Sequence, residues 1–166
     1  MQGTIRENID PFMEKSDAEI FEVLKSVNLE AHIKKMSEGI STIVSESNNL
    51  FSVGQKQLIC LARAILRNTK ILVLDEATAN VDLETDNLIQ SKLRECFKDS
   101  TVLIIAHRLA TVIDADRILV MNEGCLEEFD HPYKLLVPDA SDQPKITNES
   151  GYFARMLIAT GGDTAN

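Results

Sequence analysis

Three short stretches of this sequence carry residue types that can do chemistry together. In Ile71-Leu72-Val73-Leu74-Asp75-Glu76, an apolar run leads straight into two carboxylates. A short continuous apolar run predicts a buried parallel strand. Acids at its carboxyl end fall where open α/β sheets place ligands. Buried neighbouring carboxylates need partners, and a divalent cation with a polarised water suits both. In Phe51-Ser52-Val53-Gly54-Gln55, a serine and a glycine open a helix. Such an end offers free N–H groups and a positive dipole to a phosphate, and glycine allows close backbone approach. In Ile105-Ala106-His107-Arg108-Leu109, a histidine follows a second apolar strand, at the same expected sheet edge as Asp75 and Glu76. Each stretch alone has a plain structural reading: a solvated acidic turn, a capped helix, a packed histidine. Their co-occurrence favours a site.

The elements that position these stretches are legible from spacing. Ser16 and Glu19 form one capping box, and Ser52 and Gln55 a second. The first opens an amphipathic helix with Ile20, Val23, Leu24 and Val27 at i, i+3, i+4 and i+7. A turn of helix is expected over Ile5–Ile9, ending at Asp10-Pro11. A short helix carries Leu29, Ile33 and Met36 and stops at Gly39; His32 within it reads as a surface or packed residue. Residues 40–51 read as irregular. The helix from Ser52 is apolar on most faces and so deeply buried. Asp82 caps the next helix, which runs to about Phe97 with Leu88, Ile89, Leu93 and Cys96 inward. Thr101–Ala106 reads as another buried strand and Arg117–Met121 as a third strand, and Asn122-Glu123-Gly124 turns the latter back into Cys125–Phe129 as a hairpin. Residues 137–150 read as a loop, and Gly151–Thr160 as a final helix. Strands alternating with helices predict an α/β architecture.

The chain has 166 residues, about one domain. Hydrophobic residues make up 44%, enough for a packed core. A net charge of −9 argues against nucleic acid as a partner. Cys60, Cys96 and Cys125 show neither CxxC spacing nor a secretory framework, which suits a reducing compartment. Cys60 and Cys96 fall in apolar helical stretches and read as core. No apolar run reaches the roughly 18 residues of a membrane span.

The order and spacing of these motifs resemble the nucleotide-binding domain of ABC transporters. F-S-V-G-Q-K-Q-L at 51–58 is similar to the family's signature motif. I-L-V-L-D-E at 71–76 resembles its Walker B strand, A-N-V-D at 79–82 its D-loop, and I-A-H-R-L at 105–109 its H-loop. G-T-I-R-E-N-I-D-P-F at 3–12, Val53 in place of glycine, and L-D-E-A-T-A-N-V-D at 74–82 resemble the second such domain of the multidrug-resistance-associated (C) subfamily. The resemblance covers nearly the whole chain. It implies an α/β fold, a partial P-loop NTPase (RecA-like) core of ABC ATPase type with a helical signature subdomain. The helical part is expected over 1–68 and the distal half of the core over 69–166.

By the same resemblance, ATP and Mg²⁺ are the cofactors of a transport-coupled ATPase exporting organic anions, conjugates or xenobiotics. Ser52, Val53, Gly54 and Gln55 bind the nucleotide held by the partner domain. Asp75 holds Mg²⁺, Glu76 orients the attacking water, Asp82 lies at the domain interface, and His107 contacts the γ-phosphate. The implied partners are the first nucleotide-binding domain and the transmembrane domains of the same transporter. The expected place is the cytoplasmic face of a membrane, reached only through those spans. The sequence departs from the family in several places. It has no G-x-x-x-x-G-K-[ST], no upstream aromatic for adenine and no Q-loop glutamine, so the chain alone is expected to be inactive. Ser47-Asn48 stands where Gly-Gly is usual, and Phe51 where leucine is commoner. Two other readings remain: the C-terminal head lobe of a chromosome-maintenance or DNA-repair ATPase, and a non-catalytic ABC-like regulatory module.

Overall fold

The computed structural model describes residues 1–45, 48–76, 81–105, 112–137 and 151–160. The chain divides into two compact units, Met1–Ile105 and Ala106–Asn166.

The first unit is a mixed helix and strand assembly. β1 (Gly3–Thr4) leads into α1 (Ile5–Ile9), α2 (Asp17–Ser26), α3 (Glu30–Lys34), a 3₁₀ turn at Gly39–Ser41 and β2 (Ile43–Val44). α4 (Val53–Arg67), β3 (Ile71–Asp75), α5 (Leu83–Cys96) and β4 (Thr101–Ile105) complete it. Thr4, Ser16 and Ser52 each form a reciprocal capping box with the glutamate or glutamine three residues on, so side-chain oxygens satisfy first-turn amides that have no helical partner. β2 lies in the stretch expected to be irregular and pairs antiparallel with β1. Strands of two residues carry no periodicity from which to read them.

α4 is the centre of this unit. Its Leu58, Ile59, Leu61, Ala62 and Leu66 are buried in one cluster with Ile5 and Ile9 of α1, Ile20 and Leu24 of α2, and Ile89 and Leu93 of α5. A polar bond fixes α1 against it: Arg63 Nε donates to the Asn8 carbonyl at 2.5 Å. Asn8 Nδ2 in turn donates to the carbonyls of Gln2 and Thr4 at 3.0 and 2.9 Å, tying α1 to the chain that leads into it. Cys60, expected in the core, is exposed on α4, and Cys96 is only half-buried. A helix apolar on most faces still turns one side to water, and Cys60 lies on that side.

β3 and β4 are parallel, with Ile71 opposite Thr101 and Asp75 opposite Ile105. The expectation that both strands are buried needs correction. Leu72, Leu74 and Val102 pack on the α4 cluster, while Ile71, Val73, Leu103 and Ile105 are exposed by 50–69%. Strand side chains alternate between faces, and only one face of this two-stranded sheet is covered.

The second unit has its own small core of Ile118, Val120, Leu135 and Phe153. β5 (Ile118–Asn122) and β6 (Cys125–Asp130) form the expected hairpin. Glu123 and Gly124 both have positive φ, 49° and 80°, as a type I′ turn requires. α6 (Pro132–Leu136), capped by His131, was not legible in the sequence; α7 (Tyr152–Thr160) was. The Glu128 carboxylate accepts from the amides of Tyr152 and Phe153 at 3.0 and 2.9 Å, so a residue on a strand caps the start of α7. Of the expected loop at 137–150, residues 138–150 lie outside the described residues.

Three outcomes are expected. Replacing Val73 and Leu103 together by threonine changes stability by no more than about 1 kcal/mol, because surface sites typically contribute within ~0.5 kcal/mol each, and it lowers ANS binding. A much larger loss in chemical denaturation would mean that this face is covered. Glu128→Ala costs about 1 kcal/mol as a lost cap and speeds hydrogen exchange at Tyr152 and Phe153; unchanged exchange there contradicts the cap. The third concerns Asp82, which caps α5. Its carboxylate is held below the ordinary value of 3.8, first by the Thr85 amide and then by the Thr85 hydroxyl. A depressed acid stabilises fully above its unfolded value and loses that contribution as pH falls through the folded one. The Thr85 amide shift should therefore titrate below pH 3.8, and Asp82→Asn should abolish that titration.

Candidate functional site

Each expected site residue within the described residues lies at the end of a regular element in the first unit. Phe51 is buried, and its ring meets that of His32 with centroids 5.6 Å apart. His32 is therefore packed, and the contact anchors the chain where it enters α4. Ser52 is the N-cap: its Oγ accepts from the Gln55 amide at 3.1 Å, and Gln55 Oε1 accepts from the Ser52 amide at 3.0 Å. The two side chains thus hold each other in place. The amides of Val53 and Gly54 lie in the first turn, where the helix itself supplies no acceptor. Val53 is exposed and Gly54 buried.

Asp75 ends β3 opposite Ile105, and both it and Glu76 are exposed. Glu76 leaves the strand with φ of 48°, a left-handed conformation costing a non-glycine residue on the order of 1 kcal/mol. Its amide donates to the Ile105 carbonyl at 3.0 Å. That bond continues the β3–β4 ladder one residue past the strand and fixes the turn on which the carboxylate stands. His107 follows β4 in sequence by two residues and lies outside the described residues.

Asp82 stands at the head of α5, with Oδ1 accepting from the Thr85 amide at 2.9 Å and Oδ2 from the Thr85 hydroxyl at 2.8 Å. The first turn of α5 meets the first turn of α4. A Cβ placed on Gly54 would lie 2.9 Å from Val81 Cγ1 and 3.1 Å from Thr85 Cγ2. The structure therefore brings Ser52–Gln55 and Asp82 together through Gly54, Val81 and Thr85. It links Asp75 to neither: among the described residues no hydrogen bond or ion pair joins Asp75 to Ser52, Gln55 or Asp82. Val81 and Thr85 were not singled out in the sequence; a threonine three residues after an aspartate N-cap was the available signal.

The acids suit a hard divalent cation. No cluster of three or more histidine, cysteine, aspartate or glutamate residues occurs among the described residues. Mg²⁺ does not need one, because it takes one or two carboxylates and fills its octahedron with water and phosphate oxygens. Two exposed carboxylates on a pinned turn fit that donor set.

The ABC transporter family profile matches residues 1–79. ATP-binding cassette sub-family C member 4 of Mus musculus is 54% identical over 134 residues, which are 81% of this chain and 10% of that protein. A multidrug resistance-associated protein of Drosophila melanogaster is 49% identical over 150 residues, 90% of this chain and 11% of that protein. Metal resistance protein YCF1 of Saccharomyces cerevisiae is 48% identical over 151 residues, 90% of this chain and 10% of that protein. The chain thus spans about a tenth of the length of the curated relatives it matches. With the α/β elements above, these matches identify the sequence as nucleotide-binding-domain sequence: the chain belongs to the ABC transporter family, in its C subfamily.

Proposed function

We propose that this chain works within the second nucleotide-binding domain of a C-subfamily exporter, where ATP hydrolysis drives the outward transport of organic anions, conjugates or xenobiotics. The observation that carries the reading is the end of β3. Two adjacent carboxylates stand exposed there, and the second is held on a left-handed turn by a backbone bond to β4. The names of the relatives, multidrug resistance-associated and metal resistance proteins, support a cargo of foreign or toxic compounds. C-subfamily relatives do not favour a chromosome-maintenance head lobe. Glu76 and His107 together speak against a non-catalytic regulatory module, which has no need of both.

In this reading residues 1–68 form the helical subdomain and 69–166 the distal part of the core. Asp75 holds Mg²⁺. When bound, that ion neutralises charge on the transferred phosphoryl group. Glu76 accepts from the attacking water and orients it. Ser52, Val53, Gly54 and Gln55 present the start of α4 to the γ-phosphate of ATP held by the first nucleotide-binding domain, and Asp82 lies at that interface. His107 contacts the γ-phosphate of the nucleotide on its own domain. Positioned donors and acids suffice, because phosphoryl transfer to water needs no covalent nucleophile. No helix among the described residues is long and apolar enough to cross a membrane. In the proposal, transmembrane domains of the same transporter supply the spans and hold the site at the cytoplasmic face.

In a transporter carrying this sequence, Glu76→Gln should cut turnover by about 10²–10⁴, the usual weight of one positioned acid–base group, while MgATP stays trapped. Asp75→Asn should instead weaken retention of Mg-nucleotide. Trapped nucleotide per transporter at saturating MgATP separates the two, and wild-type turnover in Glu76→Gln removes the assignment. The 166-residue chain alone should show no micromolar MgATP binding by calorimetry, since it contains no G-x-x-x-x-G-K-[ST].

A further inference from the structure

Gly54 has no conformational need to be glycine. Gly3, Gly39 and Gly124 have positive φ; Gly54 does not, and it sits in an ordinary first turn of α4. Glycine weakens a helix relative to alanine, so the position requires another reason. The surroundings of its Cα give one. An added methyl would come within 2.9 Å of Val81 Cγ1, 3.1 Å of Thr85 Cγ2 and 3.3 Å of Thr85 Oγ1. Neither neighbour can yield easily. Both are β-branched and stiff at χ1. Val81 is 8% exposed, and Thr85 is pinned through its hydroxyl and its amide to Asp82.

We infer that Gly54 is a packing contact that seats the start of α4 on the start of α5, and that Thr85, locked by Asp82, is the positioning residue that sets this seat. Resting on the function proposed above, the contact couples the phosphate-facing end of α4 to the interface aspartate. A shift of Asp82 then moves Ser52 and Gln55 with it, because the Thr85 methyl and the Val81 side chain leave no slack against the bare Cα. The glycine is demanded by its own domain, independently of any approach to a phosphate.

A thermodynamic and kinetic cycle tests this. Gly54→Ala is made in the wild-type background and in a Val81→Ala/Thr85→Ser background, which removes the two nearest carbons and keeps the hydroxyl bond to Asp82. In the 166-residue chain, Gly54→Ala should lower Tm by roughly 5 °C in the wild-type background, as overpacking does, and by much less in the relieved one. In a transporter carrying this sequence, Gly54→Ala should reduce kcat/KM for MgATP by about tenfold or more, and the relieved background should recover it to within about threefold. Equal Tm losses in both backgrounds overturn the packing contact. A restored Tm with no recovery of kcat/KM overturns the coupling, leaving phosphate approach as the reason for glycine. If Glu76→Gln turns over like wild type, the ATPase reading fails on its own, and the Tm cycle still decides the contact.

Discussion

Burial of α4 is the constraint on which residues 1–105 depend. Its apolar positions close one cluster with α1, α2, α5 and the inner face of β3–β4. Hydrophobic burial is non-directional, so it can hold α4 in place without fixing its rotation or register. Directional contacts do that here. Arg63 bonds the Asn8 carbonyl near the helix's far end, and the Phe51 ring meets that of His32 at a tilt near its start. Gly54 against Val81 and Thr85 sets the depth at which α4 meets α5.

This arrangement explains why the candidate chemistry sits at element ends. A packed core has no room for uncompensated polar groups, and regular elements leave unpaired backbone groups only at their termini. The Ser52–Gln55 turn and the Asp75–Glu76 turn are both termini of elements whose middles are buried or paired. Side chains at such places are carried by stiff elements yet remain open to a ligand. Glu76 shows the cost, since its left-handed backbone is strained and is held by the bond to Ile105.

The exposed face of β3–β4 sits oddly beside this well-made interior. Ile71, Val73, Leu103 and Ile105 form a contiguous apolar strip on the side away from α4. Monomeric proteins seldom expose large apolar patches, and parallel sheets are ordinarily covered on both faces.

Much of the local structure was decided by the sequence alone. The capping boxes at Ser16 and Ser52, the Asp82 cap and the β5–β6 hairpin depend on residues a few positions apart, whose interactions survive in any context. The family-like motifs were legible for the same reason: each is a short run of neighbouring residues. The tertiary structure decided what depends on neighbours distant in the chain. β2 exists because Gly3–Thr4 lies beside it. Cys60 faces water although its helix is apolar on most sides, since packing chose the other faces. Half of the β3 run is exposed because burial is a property of the sheet around a strand, and the strand's own composition cannot fix it. The role of Gly54 belongs here too. In sequence it reads as room for a ligand, and only the position of Val81 and Thr85, some thirty residues further on, shows that its own fold fills that space.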